Sequence, residues 1–191
     1  VFEKYGRPPY PELYADARKW INEGWVDYFS PQLYWPIAQP AQAYPVLLRW
    51  WSEQNTFGRH IWPGNYSSRV GERSRTAWLT SEIVSQVAAT RAEPGASGNI
   101  HFSAKVFLED RDSIGTRMAR QSYGATALVP PSPWLAVEEQ GEPRVELRRD
   151  ARGALTARVA PAGKELPRWW LVQVRVASGV WSSTLVRGQV R

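Results

Sequence analysis

Gln32, Tyr34 and Trp35 are the first side chains in the sequence whose types and spacing suit a chemical role. They stand at the end of a predicted strand, residues 25–33, and α/β folds build their sites at the C-terminal ends of strands. An aromatic face packs against the C–H groups of a sugar ring, and an amide hydrogen-bonds its hydroxyls. The group therefore predicts a sugar-binding surface.

Two further groups follow the next two predicted strands. The second group is Trp62, Asn65 and Tyr66, and the third is His101 with Ser103. His101 could orient a hydroxyl or transfer a proton, because histidine titrates near neutral pH. Ser103 has no histidine and acid partner visible in the sequence, which argues against a hydrolase triad. For each group the alternative is a structural role in the core, and the sequence leaves both open.

The acidic residues are poorly placed for catalysis. Glycoside hydrolysis needs two carboxyl groups, roughly 5–5.5 Å apart for retention or about 6.5–9.5 Å for inversion. Asp27 lies at the start of its strand, while Glu109, Asp110 and Asp112 follow the third strand. We interpret these last three as a polar loop in which Asp112 caps a helix. The catalytic residues are therefore left unknown.

Helices and strands alternate through the first two thirds of the chain. The predicted helices cover residues 11–23, 44–54, 80–91 and 112–121, and the predicted strands cover residues 25–33, 59–66 and 99–107. This order is typical of βαβ units and a parallel sheet. Alternation in the first strand predicts that Phe29 and Leu33 face the helices, while Ser30, Gln32 and Tyr34 face the other way.

The pattern of residue types changes after a proline-rich segment. We predict three parts: an α/β domain at 1–128, a linker at 129–143 and a β-sandwich-like tail, whole or partial, at 144–191. Short runs rich in valine, leucine and tryptophan in the tail predict four antiparallel strands, with a hairpin turn at residues 178–179. The predicted strands are 144–149, 154–159, 169–176 and 180–186.

Composition excludes several classes of protein. The 191 residues include no cysteine and two histidines, so we expect no disulfide, no metal site and no cofactor. The net charge of +6 is spread along the chain, which argues against nucleic-acid binding. No apolar run reaches about 18 residues, so no transmembrane segment is expected. Eleven tryptophans exceed the needs of a core, and some are expected to line a cleft or interface. The sequence has no initiator methionine, and we expect it to be part of a longer protein.

Five blocks together resemble the glycosyl hydrolase-like family 10, a group of bacterial envelope-associated (β/α)8 barrels. The blocks are YADARKWINEGWVDYFSPQLYW, LLRWWSEQ, RHIWPGNY, EIVSQVAATR followed by GNIHFSAK, and ALVPPSPWL. The resemblance covers about residues 10–135 and implies the C-terminal portion of a TIM barrel, with strands six, seven and eight. It also implies catalytic acids on earlier strands, a glycan substrate such as peptidoglycan, a periplasmic or cell-envelope location, and a fibronectin-like or immunoglobulin-like tail.

The leading hypothesis is therefore that the chain is part of a glycoside hydrolase-like protein. In this hypothesis it contributes the substrate-binding wall of the site but not the catalytic acids. One alternative is a non-catalytic carbohydrate-binding module, which would use the same aromatic residues. The other is a structural module that forms homo-oligomers through its open sheet edges.

Overall fold

The computed structural model describes residues 14–125, 127–135, 141–163, 166–175, 179 and 181–188. The chain divides into two compact units, residues 1–132 and residues 133–191. Within the described residues, no helix combines the length and the apolar character needed to cross a membrane.

The first unit alternates helices with very short strands. In chain order its helices and strands are α1 (Ala17–Asn22), β1 (Tyr28–Phe29), α2 (Tyr44–Glu53), β2 (His60–Ile61), β3 (Gly64–Asn65), α3 (Thr80–Ala92), β4 (Ile100–His101), α4 (Ala104–Leu108) and α5 (Ile114–Gln121). Single 3₁₀ turns lie at Ser67–Arg69 and Arg111–Ser113.

Helix α1 is shorter than the predicted helix at residues 11–23. Asp16 caps it by accepting a hydrogen bond from the Lys19 amide at 3.0 Å, so the described helix begins at Ala17. Residues 11–13 of the prediction lie outside the described residues. Gly24 ends the helix with φ +67°, the left-handed conformation that its position after the helix predicts.

The strands run parallel in the order predicted. Tyr28 pairs with His60 and Gly64 pairs with Ile100. A further parallel bridge joins Gln32 to Gly64, so the second strand segment lies between the first and the third. The predicted strands at 25–33 and 59–66 are interrupted next to Pro31 and Pro63, because proline has no N–H to donate to a neighbouring strand.

The third strand is much shorter than the predicted strand at residues 99–107, and that prediction is corrected. Helix α4 begins at Ala104, so Ser103 is its N-cap residue and Lys105 lies in its first turn. Alternating residue types suggested a strand, but Val106 is buried in a cluster with residues of α3 and α5. Helical packing against these neighbours overrides the two-residue pattern.

Two buried clusters hold the helices in place, the first against one side of the strands and the second among α3, α4 and α5. The first contains Ile21, Leu33, Tyr44, Leu47, Leu48, Trp51 and Ile61, with Phe29 and Trp35 packed against it. Phe29 and Leu33 therefore face the helices, as alternation predicts. The second contains Val70, Ile83, Val87, Val106, Ile114 and Met118.

One short segment caps two helices. Asp112 Oδ2 accepts a hydrogen bond from the Thr80 amide at 2.7 Å, and Thr80 Oγ1 donates to the Asp112 carbonyl at 2.7 Å. Asp110 accepts bonds from the amide and hydroxyl of Thr116. Asp112 thus caps α3, whereas the sequence suggested that it caps its own helix. The amide bonds from Thr116 and Thr80 hold the pKa values of Asp110 and Asp112 below the usual range.

The second unit consists of two antiparallel hairpins, as the sequence predicts. Strand β5 (Arg144–Arg149) pairs with β6 (Leu155–Ala160), and β7 (Trp169–Arg175) pairs with β8 (Trp181–Arg187). Gly179 has φ +81°, while Ser178 of the predicted turn lies outside the described residues. The likeness of the tail to fibronectin-like or immunoglobulin-like modules stays a prediction, as do the domain bounds.

Candidate functional site

Three aromatic rings meet where the three parallel strands end. The Tyr34 and Tyr66 rings stack with their centroids 4.7 Å apart, and the Phe102 ring lies 6.0 Å from Tyr34 and 6.1 Å from Tyr66. Tyr66 directly follows β3, and Phe102 directly follows β4. We call Tyr34, Tyr66 and Phe102 the strand-end cluster.

The backbone brings these rings together by close approach. A side chain at Gly64 would place its Cβ 3.3 Å from Cε1 of Tyr34, so glycine leaves the room that this ring occupies. Ser68 fixes the third ring, because its amide and hydroxyl both donate to the Phe102 carbonyl at 2.8 and 3.0 Å. The Ser103 amide donates to Ser68 Oγ at 2.9 Å.

The strand-end cluster presents apolar faces together with phenol groups. Phe102 is 52% exposed, so its ring is open to a ligand. Burial, with a smaller contribution from Tyr66, raises the pKa of Tyr34, whose hydroxyl therefore remains protonated at neutral pH and can donate a hydrogen bond. The Arg69 guanidinium lies 5.7 Å over the Tyr66 ring, and Trp78 meets that ring edge-on. Such an arrangement can stack on a sugar ring and hydrogen-bond its hydroxyls.

A second aromatic group lies on the same side of the strands, near their starts. Trp62 stacks on Tyr28 at 4.6 Å and on His60 at 5.2 Å, and we call these three residues the strand-start cluster. Ser97 Oγ accepts a hydrogen bond from Trp62 Nε1 at 2.9 Å and lies 3.0 Å from His60 Nδ1. The other ring nitrogen of His60 lies 3.1 Å from the Ser132 hydroxyl. Trp62 is thus part of a bonded structural group, apart from Tyr66.

Asn65 lies on the opposite, helix-facing side. It is fully buried, and its amide donates to the Tyr44 hydroxyl at 3.1 Å and to Gln86 Oε1 at 2.9 Å. Its carbonyl oxygen accepts a bond from Asn99 at 2.9 Å. The Tyr44 hydroxyl is 2.7 Å from Thr90 Oγ1, and burial raises the pKa of Tyr44 to about 12. Asn65 therefore joins β3 to α2 and α3, which is a structural use of its amide.

His101 also lies on the helix-facing side, because it pairs in register with Asn65. Its Nδ1 is 2.8 Å from Ser67 Oγ, and its Nε2 is 2.7 Å from the Tyr123 hydroxyl. Burial lowers the pKa of His101 to about 4, so the ring is neutral near pH 7. Both nitrogens are occupied, which favours the structural alternative over proton transfer.

The structure separates the eight side chains that the sequence singled out for substrate binding. Tyr34 and Tyr66 meet in the strand-end cluster; Gln32 is exposed on the same side, and Ser103 lies beside Phe102. Trp35 packs against the first buried cluster, and its carbonyl accepts a bond from Gln86. Trp62 lies in the strand-start cluster, and Asn65 and His101 lie on the helix-facing side, so the predicted groups do not form one surface.

Sequence reasoning missed Phe102. It assigned the His101 side of the third strand to the site, although Phe102 lies on the other side with Ile100. The observed register aligns the three rings, because Gln32 pairs with Gly64 and Gly64 pairs with Ile100, but the predicted strand at 99–107 placed Phe102 within the strand and hid this correspondence.

The acids that follow β4 are all engaged in structural contacts. Glu109 lies 2.6 Å from Arg111 and 3.7 Å from Lys105. Asp110 and Asp112 cap α5 and α3 through the bonds described above. These carboxylates are therefore not presented as a free pair to a substrate.

A cleft of about 1030 Å³ runs along β4. Its lining includes Tyr28, Trp62, Ile100, His101, Tyr123 and Leu128. Among the described residues, β4 pairs with β3 alone, so its second edge borders this cleft. Association through open sheet edges stays a prediction.

Sequence comparisons indicate a glycosyl hydrolase relationship. The model of the family "Glycosyl hydrolase-like 10" matches residues 4–79. The chain is 34% identical over 155 residues to glycosyl hydrolase YngK of Bacillus subtilis (strain 168), covering 80% of this chain and 30% of that protein. It is 36% identical over 104 residues to glycosyl hydrolase DigH of Escherichia coli (strain K12), covering 51% of this chain and 24% of that protein.

The chain thus spans less than a third of the length of these curated relatives. The resemblance inferred from the sequence blocks is confirmed: the chain resembles the glycosyl hydrolase-like 10 family and is similar to proteins named glycosyl hydrolases.

Proposed function

We propose that the strand-end cluster binds a sugar unit of a glycan that the complete protein hydrolyses. The observation that carries this proposal is the meeting of Tyr34, Tyr66 and Phe102 at the C-terminal ends of three parallel strands. Parallel α/β folds bind their ligands at this end, and stacked aromatic rings suit the apolar face of a sugar.

The three strands belong, in this proposal, to the C-terminal portion of a (β/α)8 barrel. Their parallel pairing, the helices on one side and the exposed rings on the other support this assignment. Glu109, Asp110 and Asp112 are engaged elsewhere, so the two catalytic carboxylates belong to parts of the protein beyond the described residues. The strand-end cluster then acts as a substrate wall that positions the glycan against those acids.

The glycan we propose is peptidoglycan, and the location is the periplasm or cell envelope. The support is the family resemblance, together with a net charge of +6 that favours an anionic envelope polymer.

The test is titration calorimetry of the chain with peptide-free peptidoglycan glycan strands. Phe102→Ala removes an exposed ring of the strand-end cluster, and we expect at least five-fold weaker binding. Tyr28→Ala removes an exposed ring of the strand-start cluster and serves as the matched control, with unchanged affinity. Equal affinity of the chain and Phe102→Ala would refute the proposal.

A non-catalytic carbohydrate-binding module is the second candidate, and the structural roles of the acids after β4 favour it. Release of reducing ends from the same glycan strands separates the two candidates. The hydrolase proposal expects activity in a protein as long as the curated relatives and its absence in this chain. The binding-module candidate expects activity in neither. Activity of the 191-residue chain alone would contradict both, and Glu109→Gln would then show whether that acid contributes.

A further inference from the structure

The β7–β8 hairpin has two sides of different chemistry. Residues paired across an antiparallel ladder, and every second pair along it, share one side. One side, which we call the indole face, carries the pairs Trp169–Arg187, Leu171–Leu185, Gln173–Ser183 and Arg175–Trp181. Two contacts confirm the grouping, since Gln173 donates to Ser183 at 3.2 Å and the Arg175 guanidinium lies 5.9 Å over the Trp181 ring.

The indole face is exposed to solvent. Trp169 is 54% exposed and Trp181 is 59% exposed. On the opposite side, Trp170 and Val172 are half-buried, while Val174 and Val186 are exposed. The two sides therefore differ in the residues they present, since both indole–guanidinium pairs lie on the indole face.

The pattern of the indole face is unusual for a hydrated surface. Each strand starts with a tryptophan and ends with an arginine, and because the strands are antiparallel each indole stands across from a guanidinium. Large exposed apolar groups are costly to leave in water and mark interaction sites. The face contains two arginines and no acidic residue, so its charge is complementary to an anionic partner.

We propose that the indole face binds an extended, carboxylate-bearing glycan. The two indoles stand at opposite ends of the ladder, about 20 Å apart for six residues of strand. Each indole stacks on a sugar ring, and Arg175 and Arg187 pair with carboxylates of the same chain. Gln173 and Ser183, halfway along the face, hydrogen-bond the hydroxyls of the intervening units.

This site is distinct from the strand-end cluster. It lies in the second unit and shares no residue with the proposed hydrolase wall. An anionic membrane is the rival partner, since tryptophan and arginine also suit lipid interfaces. The hydrogen-bonded Gln173–Ser183 pair interrupts the apolar surface that insertion would require, which favours the glycan.

The experiment compares two hexasaccharides by titration calorimetry with the full 191-residue chain. Hyaluronan hexasaccharide alternates glucuronate with N-acetylglucosamine, whereas chitohexaose contains N-acetylglucosamine alone and lacks carboxylates. We expect hyaluronan hexasaccharide to bind at least ten-fold more tightly at low salt, and this preference to shrink as salt is added. A hyaluronan disaccharide cannot reach both indoles and should bind at least ten-fold more weakly than the hexasaccharide.

Variants connect that affinity to the indole face. We expect Trp169→Ala and Trp181→Ala each to weaken binding of hyaluronan hexasaccharide at least five-fold, with partial recovery in Trp169→Phe. The double change Arg175→Gln with Arg187→Gln should abolish the preference over chitohexaose. Thr184→Ala, an exposed change on the opposite side of the hairpin, is the matched control and should bind normally. Far-ultraviolet circular dichroism checks that each variant remains folded.

Several results would overturn the proposal. They are an absence of binding to hyaluronan hexasaccharide, equal binding of both hexasaccharides, or normal binding by folded Trp169→Ala and Trp181→Ala. Stronger binding to phosphatidylglycerol vesicles, lost in the same variants, would identify a lipid surface instead. Loss of hyaluronan binding in Phe102→Ala would place the hyaluronan site at the strand-end cluster. Unchanged hyaluronan binding in Phe102→Ala keeps the two sites separate.

Discussion

The two sides of the parallel strands in the first unit both carry residues that could serve a sugar site, but the protein uses the two sides in different ways. On the helix-facing side, Asn65 and His101 are enclosed and hydrogen-bonded to neighbouring helices and loops. On the other side, Tyr34, Tyr66 and Phe102 contact one another and leave ring surface in water. An amide or imidazole at a strand end therefore indicates a site only once the side it faces is known.

The largest effect on stability is expected for Asn65→Leu. The change leaves the buried Oε1 of Gln86 without its donor and removes one of the bonds to the Tyr44 hydroxyl, and a buried unsatisfied group costs about 1–3 kcal/mol. We expect a loss of about 2–4 kcal/mol in the free energy of unfolding, measured by urea denaturation. A loss under about 0.5 kcal/mol would contradict the helix-facing role of this residue.

The second prediction concerns His101 and pH. The pKa of His101 is about 4 in the folded chain, below its ordinary value of 6.5, so between these pH values the unfolded chain binds a proton that the folded chain does not. The contribution of neutral His101 to the free energy of unfolding is complete above pH 6.5. It is lost as the pH falls from 6.5 toward 4, and the loss is roughly 3 kcal/mol at most. His101→Gln should flatten that part of the stability profile. Asp110 and Asp112, with lowered pKa values, add their own loss only below pH 3.8.

A smaller effect is expected for Asp112→Ala. This change removes the acceptor for the Thr80 amide at the start of α3, and a lost N-terminal cap costs about 1 kcal/mol. Alanine also fits the left-handed backbone at this position, φ +46°, less well than asparagine does. Asp112→Asn should therefore retain most of the stability when the thermal unfolding of the two variants is compared. Equal loss in both variants would show that the charge is needed, and the acceptor alone is insufficient.

The smallest effect on stability is expected for Phe102→Ala. Because the ring is 52% exposed, its removal should cost under about 1 kcal/mol in urea denaturation, while sugar binding falls as proposed. A large loss of stability would place Phe102 with the helix-facing residues and remove the contrast between the two sides.

Sequence reasoning predicted much of the framework for identifiable reasons. The helices at Tyr44–Glu53 and Thr80–Ala92 and the parallel order of the strands agree with it, because long apolar periodicities and βαβ spacing carry these signals. Hairpins in the tail agree as well.

The candidate site was harder to predict. Alternation assigned His101 and Phe102 to opposite sides of one strand but gave no indication of which side the helices cover. The start of α4 was missed because its burial depends on residues in α3 and α5, distant in sequence. The capping of α3 by Asp112 likewise joins residues 32 positions apart, beyond the reach of local patterns.

The members of the strand-end cluster come from three successive strand segments, separated by more than thirty residues at each step. No single segment can form the cluster, so a chain in which any of the three segments has come loose loses the complete three-ring surface. Occupancy by a sugar is then linked to global folding, and a saturating ligand at one hundred times its Kd would add about 2.7 kcal/mol to the folded state. Thermal midpoints recorded with and without oligosaccharide would report on occupancy without any assay for bond cleavage.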